Sequence, residues 1–213
     1  SSLIAKNKIR VNATSVNYGM YLYYCDGSSG NENQFINNFV STYNSTSTTY
    51  GIYTYNGNFL NIYHNSVNIT DGNTSSTAFY NYTGSNVSLQ NNIFANTKTS
   101  GGYAIYNYNT TGIILSDYND LYTEGTYLGY WSGNRSTLAQ WQSASSKDAN
   151  SVSVDPFFTS ATDLHANAVG CDGQANPIVG ITYDIDGESR DATNPDIGAD
   201  EFYITPLAGV YTI

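Results

Sequence analysis

An all-β chain wound into a solenoid of roughly 27-residue coils is the fold class this sequence predicts. Three observations predict it. Short units built around an Asn recur at a fixed interval: Asn38, Asn65, Asn92 and Asn119 are each 27 residues apart, as are Val40, Val67, Phe94 and Leu121. Tyrosine-rich segments that alternate with period two return at nearly the same spacing: "YGMYLY" from Tyr18, "YGIYTY" from Tyr50, "TAFYNY" from Thr77 and "YAIYNY" from Tyr103. Finally, only 11% of the 213 residues are charged, against roughly 25% in an ordinary domain. The polar share falls instead to Asn, Ser, Thr, Tyr and Gly, which favour strands and turns. A register held this long marks a stacked repeat, because one coil cannot bury its own apolar face and its neighbours must complete the core.

The elements follow in order. "KNKI" (Lys6 to Ile9) is the earliest copy of the Asn unit, displaced by four extra residues that the loop "CDGSSGNEN" (Cys25 to Asn33) absorbs. Ahead of each Asn runs a strand with the column Phe35, Ile62, Leu89, Ser116, and beside it Leu60, Val87, Ile114. In the tyrosine-rich strands Met20, Ile52, Phe79 and Ile105 form the uniformly apolar column and are expected to point inward. Each coil therefore holds two or three short strands. Like residues then stack at the strand spacing of about 4.8 Å. Asn38, Asn65, Asn92 and Asn119 are expected to form a structural ladder of side-chain hydrogen bonds at a bend. No segment before residue 135 has a helical period. A leucine-rich repeat also carries an Asn column, but needs one "LxxLxL" strand per unit rather than a second, tyrosine-rich one. The β-helix coils are expected over 1–125, the last coils and a closing segment of the same domain over 126–204, and a tail or linker over 205–213.

The repeats over 7–122 resemble the right-handed parallel β-helix proteins of the pectate-lyase-like superfamily. The stretches "LAQWQSASSKDANSVSVDPFF" (Leu138 to Phe158), "DLHANAVGCDG" (Asp163 to Gly173) and "DIDGESRDATNPDIGADEF" (Asp184 to Phe202) resemble the closing segment of large secreted bacterial β-helix proteins, often from Bacteroidetes. The resemblance implies an extracellular or surface-attached location within a longer exported chain, with no starting Met or signal peptide at its head. It does not imply one reaction.

Charge is uneven. Residues 1–116 carry a net +1 and residues 117–213 a net −11. No basic track runs along the chain, so nucleic acid is excluded as a partner. The acidic balance argues against anionic membranes, and no apolar run is long enough to insert into a bilayer. Cys25 and Cys171 lie in dissimilar contexts and are expected as two separate thiols rather than a disulfide. The Asn-x-Ser/Thr triplets, such as Asn68-Ile-Thr70, are what an Asn- and Thr-rich chain contains by chance.

Candidate sites are few. Lyases of this superfamily neutralise a uronate with a cation and use a surface Arg or Lys, yet Lys98 is the one base between residues 11 and 134. Glycoside hydrolysis needs two carboxylates about 5–9 Å apart. Asp117 and Asp120 flank the Asn119 bend and are the weak catalytic candidates, against the plainer reading of a solvated acidic end. His64 and His165 lack metal-ligand spacing, and His64 is expected as a partly exposed turn residue. The D-x-D-G turn makes Asp184 and Asp186 weak calcium candidates; alternatively, Arg190 pairs with a nearby acid and pins the closing segment. No cofactor beyond that calcium is implied.

Alternation sends two tyrosine columns outward, Tyr21, Tyr53, Tyr80, Tyr106 and Tyr23, Tyr55, Tyr82, Tyr108, as a two-by-four grid. Rings at that spacing can stack. Such a face either binds a ligand or simply stabilises an exposed sheet. The expected function is an extracellular structural and adhesive module that binds polysaccharide or a surface protein through this face. The alternatives are a carbohydrate-active enzyme, lyase or hydrolase, and a self-associating filament or spacer subunit.

Overall fold

A computed structural model describes residues 1–99 and 101–204; the expected tail, 205–213, lies outside them. The first coil comprises β1 (Leu3–Ala5), β2 (Lys8–Asn12) and β3 (Asn17–Tyr23). The second holds β4 (Asn33–Ile36), β5 (Phe39–Tyr43) and β6 (Thr49–Tyr55). The third holds β7 (Asn58–Tyr63), β8 (Ser66–Ile69) and β9 (Thr77–Asn81). The fourth holds β10 (Ser85–Gln90), β11 (Ile93–Asn96) and β12 (Tyr103–Asn107). The fifth holds β13 (Ile113–Asp117), β14 (Asp120–Thr123) and β15 (Gly129–Trp131). A short β16 (Asn134–Arg135) turns back antiparallel on β15, and helix α1 (Leu138–Ser145) follows.

Each strand pairs in parallel with its counterpart one coil away, giving three sheets: β1-β4-β7-β10-β13, β2-β5-β8-β11-β14 and β3-β6-β9-β12-β15-β16. The chain is a parallel β-solenoid, and each coil contributes one strand to each sheet.

The bend between the first and second sheets sets the register. The residue before each ladder Asn adopts a left-handed backbone: Lys6, Asn37, His64, Asn91 and Tyr118 have φ of 59°, 52°, 50°, 59° and 55°. That turn points backbone polar groups into the interior, where each must find a partner. The stacked asparagines supply them. Asn65 donates its backbone N–H and its Nδ2 to Asn92 Oδ1, both at 3.0 Å, and a second Nδ2 bond reaches Phe35 O at 2.8 Å. Asn92 repeats the pattern toward Asn119, and Asn38 toward Asn65. Asn7 adds a rung at the start, donating to Asn38 Oδ1 at 2.8 Å. The ladder ends on a carboxylate: Asp148 Oδ1 accepts from Asn119 Nδ2 at 3.0 Å, from Ser116 Oγ and from Ser151 Oγ.

The columns expected to face inward do so, with one exception. Ile52, Leu60, Ile62, Val67, Phe79, Phe94, Ile105 and Leu121 are fully buried. Burying each such side chain contributes roughly 1.5–3 kcal/mol. Val87, however, pairs with Ile113, and a register shift follows before Ser88 meets Leu115. Ile114 is the extra residue of that bulge and is exposed, because a bulge turns its surplus side chain out of alternation. Gly51 permits the close approach of two sheets: a Cβ there would stand 2.2 Å from Val67 Cγ1 and 2.5 Å from Ala78 O.

Helix α1 covers the open end of the core. Thr137 caps it by accepting from Gln140 N, and Trp141 is fully buried beneath it, its ring edge-on to Trp131 at 5.4 Å. The indole Nε1–H donates to Asp148 Oδ2 at 2.7 Å, so the cap and the ladder end on the same carboxylate.

Beyond the helix the described residues hold no further named strand. Val152 makes a partial parallel rung with Asp120. The remainder, 153–204, is an irregular strap crossing the outer face of the second sheet. Ala166, Ala168, Cys171 and Ile197 pack on Ile93 and Ala95, while Leu164, Ile185 and Ala199 pack on Phe39. The second sheet is thereby covered on both faces, which explains why β5, β8 and β11 are almost wholly buried. Cys25 and Cys171 are both free thiols.

Removing a rung tests this account. In Asn92→Ala the Asn65 N–H and the Ile62 carbonyl lose this partner in the interior, while Asn65 Nδ2 keeps Phe35 O and Tyr63 O. Each orphaned group costs about 1–3 kcal/mol, so urea titration should show a loss of several kcal/mol without loss of parallel-sheet signal at zero denaturant.

Candidate functional site

The third sheet carries the tyrosines on its outer face, in parallel register: Tyr21↔Tyr53, Tyr53↔Tyr80, Tyr80↔Tyr106 and Tyr106↔Tyr130. Alternation around the buried Met20, Ile52, Phe79 and Ile105 points them outward, as expected. Tyr53 and Tyr80 stack at 4.9 Å and 9°, Tyr80 and Tyr106 at 4.7 Å and 9°, and Tyr106 and Tyr130 at 4.3 Å and 3°. The second column stacks likewise, Tyr55 on Tyr82 at 5.3 Å and Tyr82 on Tyr108 at 5.0 Å. At the first coil the order loosens. Tyr21 meets Tyr53 edge-on and Tyr23 is tilted against Tyr55.

The grid is larger than two columns by four. Tyr130 extends one column to the fifth coil. A third column runs alongside: Tyr18 stacks on Tyr50 at 5.2 Å, and Tyr103 on Tyr127 at 6.3 Å. Thr77 interrupts it between Tyr50 and Tyr103. The signal was present in the sequence, since Tyr18, Tyr50 and Tyr103 each open their tyrosine-rich segment; the Thr at the third copy hid the column.

Stacking decides what the face displays. Rings inside a column are half-buried, each overlapped by its neighbours, whereas Tyr21, Tyr23 and Tyr108 at the column ends are exposed. The face thus offers overlapping ring edges and hydroxyls along its length and open rings at its ends. Burial raises the hydroxyl pKa of Tyr53 and Tyr80, with neighbouring tyrosines adding to the effect, and pushes Tyr106 up to about 12. Tyr53, Tyr80 and Tyr106 therefore stay neutral at neutral pH, although the chain has a net charge of −10.

The carboxylate candidates are differently placed. Asp117 lies at the edge of the first sheet, accepting from Asn150 N and Nδ2 at 2.8 Å. Asp120, across the bend, is fully buried under the strap. It accepts from Val154 N at 3.0 Å and from the Cys171 thiol at 3.7 Å. Asp120 is thus enclosed, whereas Asp117 is only half-buried. Burial pushes the Asp120 carboxyl up to about 8 and raises the Cys171 thiol beside it.

The strap holds the remaining candidates. Asp184 Oδ1 accepts three backbone N–H groups, from Asp186, Gly187 and Glu188, and Oδ2 accepts from Glu201 N. These bonds engage both of its oxygens. Arg190 does pin the segment: Nη1 meets Glu201 Oε2 at 3.1 Å, and Nη2 donates to Asn37 Oδ1 and Gly198 O. His64 is not an exposed turn residue but is fully buried. Asn91 Nδ2 donates to its Nε2 at 2.8 Å, and Nδ1 lies 3.2 Å from Gly198 O, an arrangement that suits the neutral Nδ1–H tautomer. Burial, and Arg190 second, hold its pKa well below the usual value. Asp186 pairs with Lys8 and, unexpectedly, with His165, which also stands near Asp200. Spacing could not show this cluster, because the strap folds back on itself to make it.

No family model, curated protein or solved structure matches this chain. No helix among the described residues is long and apolar enough to cross a membrane.

Asp120 provides a pH test. Its carboxyl titrates near 3.9 when unfolded and near 8 when folded, so the fold favours the neutral acid. Its contribution is complete below about pH 4 and is lost as pH rises toward 8. Asp120→Asn is neutral throughout. Its stability relative to the parent chain should rise between about pH 4 and 8 and level off above, as read by paired thermal melts.

Proposed function

We propose that this chain is an extracellular structural and adhesive β-solenoid module that holds a neutral polysaccharide against its tyrosine face. On this reading it belongs to a large exported bacterial protein of the pectate-lyase-like superfamily, of Bacteroidetes type. The observation that carries the proposal is the continuous outward stack Tyr53–Tyr80–Tyr106–Tyr130 flanked by two further tyrosine columns. Five strands, four spacings apart from end to end, make a strip on the order of 20 Å long. It is apolar along the rings and rimmed with hydroxyls that donate and accept, the pairing that suits the C–H faces and hydroxyls of a sugar chain. The absence of charge on the tyrosine rings argues for neutral glycans over uronates. The enclosure of Asp120 argues for binding over hydrolysis.

Affinity electrophoresis in glucan, xylan, mannan and polygalacturonate gels tests the reading. At least one neutral polymer should retard the chain, and Tyr53→Ala with Tyr80→Ala should weaken that retention about tenfold, or roughly 1.4 kcal/mol. Retention unchanged in the double variant sinks the tyrosine platform, and turnover of any polymer sinks the binding-only assignment. A second reading, association of copies, is favoured by the exposed and loosely ordered Tyr21, Tyr23 and Tyr24 of the first coil. Concentration-dependent light scattering without glycan retention would select it.

A further inference from the structure

Three separate passes of the strap meet where no regular element brings them together. His165, Asp186 and Asp200 each direct one ligand-type atom to a common point, all within 4.8 Å of one another. Asp163 engages His165 through Nδ1. This leaves Nε2 facing Asp186 Oδ2 at 2.7 Å. Lys8 Nζ occupies the other Asp186 oxygen at 2.7 Å, and Phe39 packs edge-on against the imidazole at 5.0 Å.

Asp200 separates this cluster from a chance gathering of acids. It is 6% exposed, and among the described residues its carboxylate meets charged groups, His165 and Asp186, rather than a backbone amide. The buried acids around it all accept from such an amide: Asp184 from Glu188 N, Asp196 from Phe202 N and Glu201 from Asp191 N. Asp200 instead faces an imidazole and a second carboxylate.

We propose that His165 Nε2, Asp186 and Asp200 form a binding site for a divalent transition-metal ion of the zinc class. The donor set decides the class. One imidazole nitrogen and two carboxylate oxygens suit zinc, whereas calcium takes six to eight oxygens and no nitrogen. A carboxylate on the far imidazole nitrogen, here Asp163, is the usual outer support of a ligating histidine. Ligand atoms about 2 Å from an ion lie no more than about 4 Å apart, so loading shortens the widest of these separations. The ion joins residues 165, 186 and 200, and through Lys8 it ties them to the first coil.

Equilibrium dialysis of untagged protein against zinc chloride, read by atomic absorption, tests the site. One ion per chain should be retained, and equimolar calcium should not displace it. Asp200→Asn keeps the shape and removes a charged ligand; it and His165→Gln should each weaken retention at least tenfold, and Asp163→Asn about tenfold, within the range for lost outer-shell support. Metal-free circular dichroism and melting establish that each variant is folded, and Asp200→Asn decides the matter if His165→Gln is not. No retained zinc, equal retention by folded Asp200→Asn, or displacement by calcium each overturns the proposal.

Discussion

The left-handed residue that precedes each ladder asparagine is the constraint on which the remainder of the structure depends. A backbone turned at Asn37, His64, Asn91 and Tyr118 presents polar groups to a dry interior. Only a short amide repeated at the strand spacing can satisfy them from both sides. Once Asn65 donates to Asn92 and Asn92 to Asn119, each coil is locked against its neighbour. A one-residue slip would orphan the amides and turn every alternating side chain over. The apolar columns and the tyrosine stacks are consequences of that lock. The rings of Tyr80 and Tyr106 overlap because the bend on the opposite side of the coil tolerates no other register.

The same reasoning separates what was legible in the sequence from what was not. Asn38, Asn65, Asn92 and Asn119 were readable because a ladder works only when the residue recurs. The tyrosine columns were readable because alternation around Met20, Ile52, Phe79 and Ile105 fixes which side faces out. Ile114 leaves its column because a bulge shortens the local period by one residue and restores it immediately. His64 was misread because a bend residue is ordinarily solvated, and only the strap crossing at Gly198 encloses it. The strap itself has no period. Its partners lie far away in sequence, as with Arg190 and Asn37 or Lys8 and Asp186. A second ladder, Thr54 to Asn81 to Asn107, was also missed, because a Thr opens it and no single residue type marks it.

The three outer faces have diverged. One displays stacked, neutral phenols. One is enclosed by the strap and carries the buried acids, among them Asp120, Asp184, Asp196 and Glu201. The first sheet is left with small polar residues such as Gln34, Asn61 and Ser88 paired across its coils. The acidic half of the chain therefore lies largely away from the tyrosines. Its charge is spent on holding irregular backbone: Asp184 gathers three amides, and Glu201 accepts from Asp191, Asp196 and Arg190.

A solenoid whose coils touch only their neighbours is free to fray from either end, one coil at a time. The strap removes that freedom. It bonds to Lys8 and Arg10 in the first coil, to Asn37, Ser66 and Asn91 in the middle coils, and to Asp120 in the fifth. Opening the first coil then requires releasing residues more than 150 positions along the chain. The array gains the all-or-none unfolding of a compact domain while keeping the extended face of a repeat. The strap docks only after all five coils exist to receive it, so the segment that follows the coils in the chain is also the part that commits them.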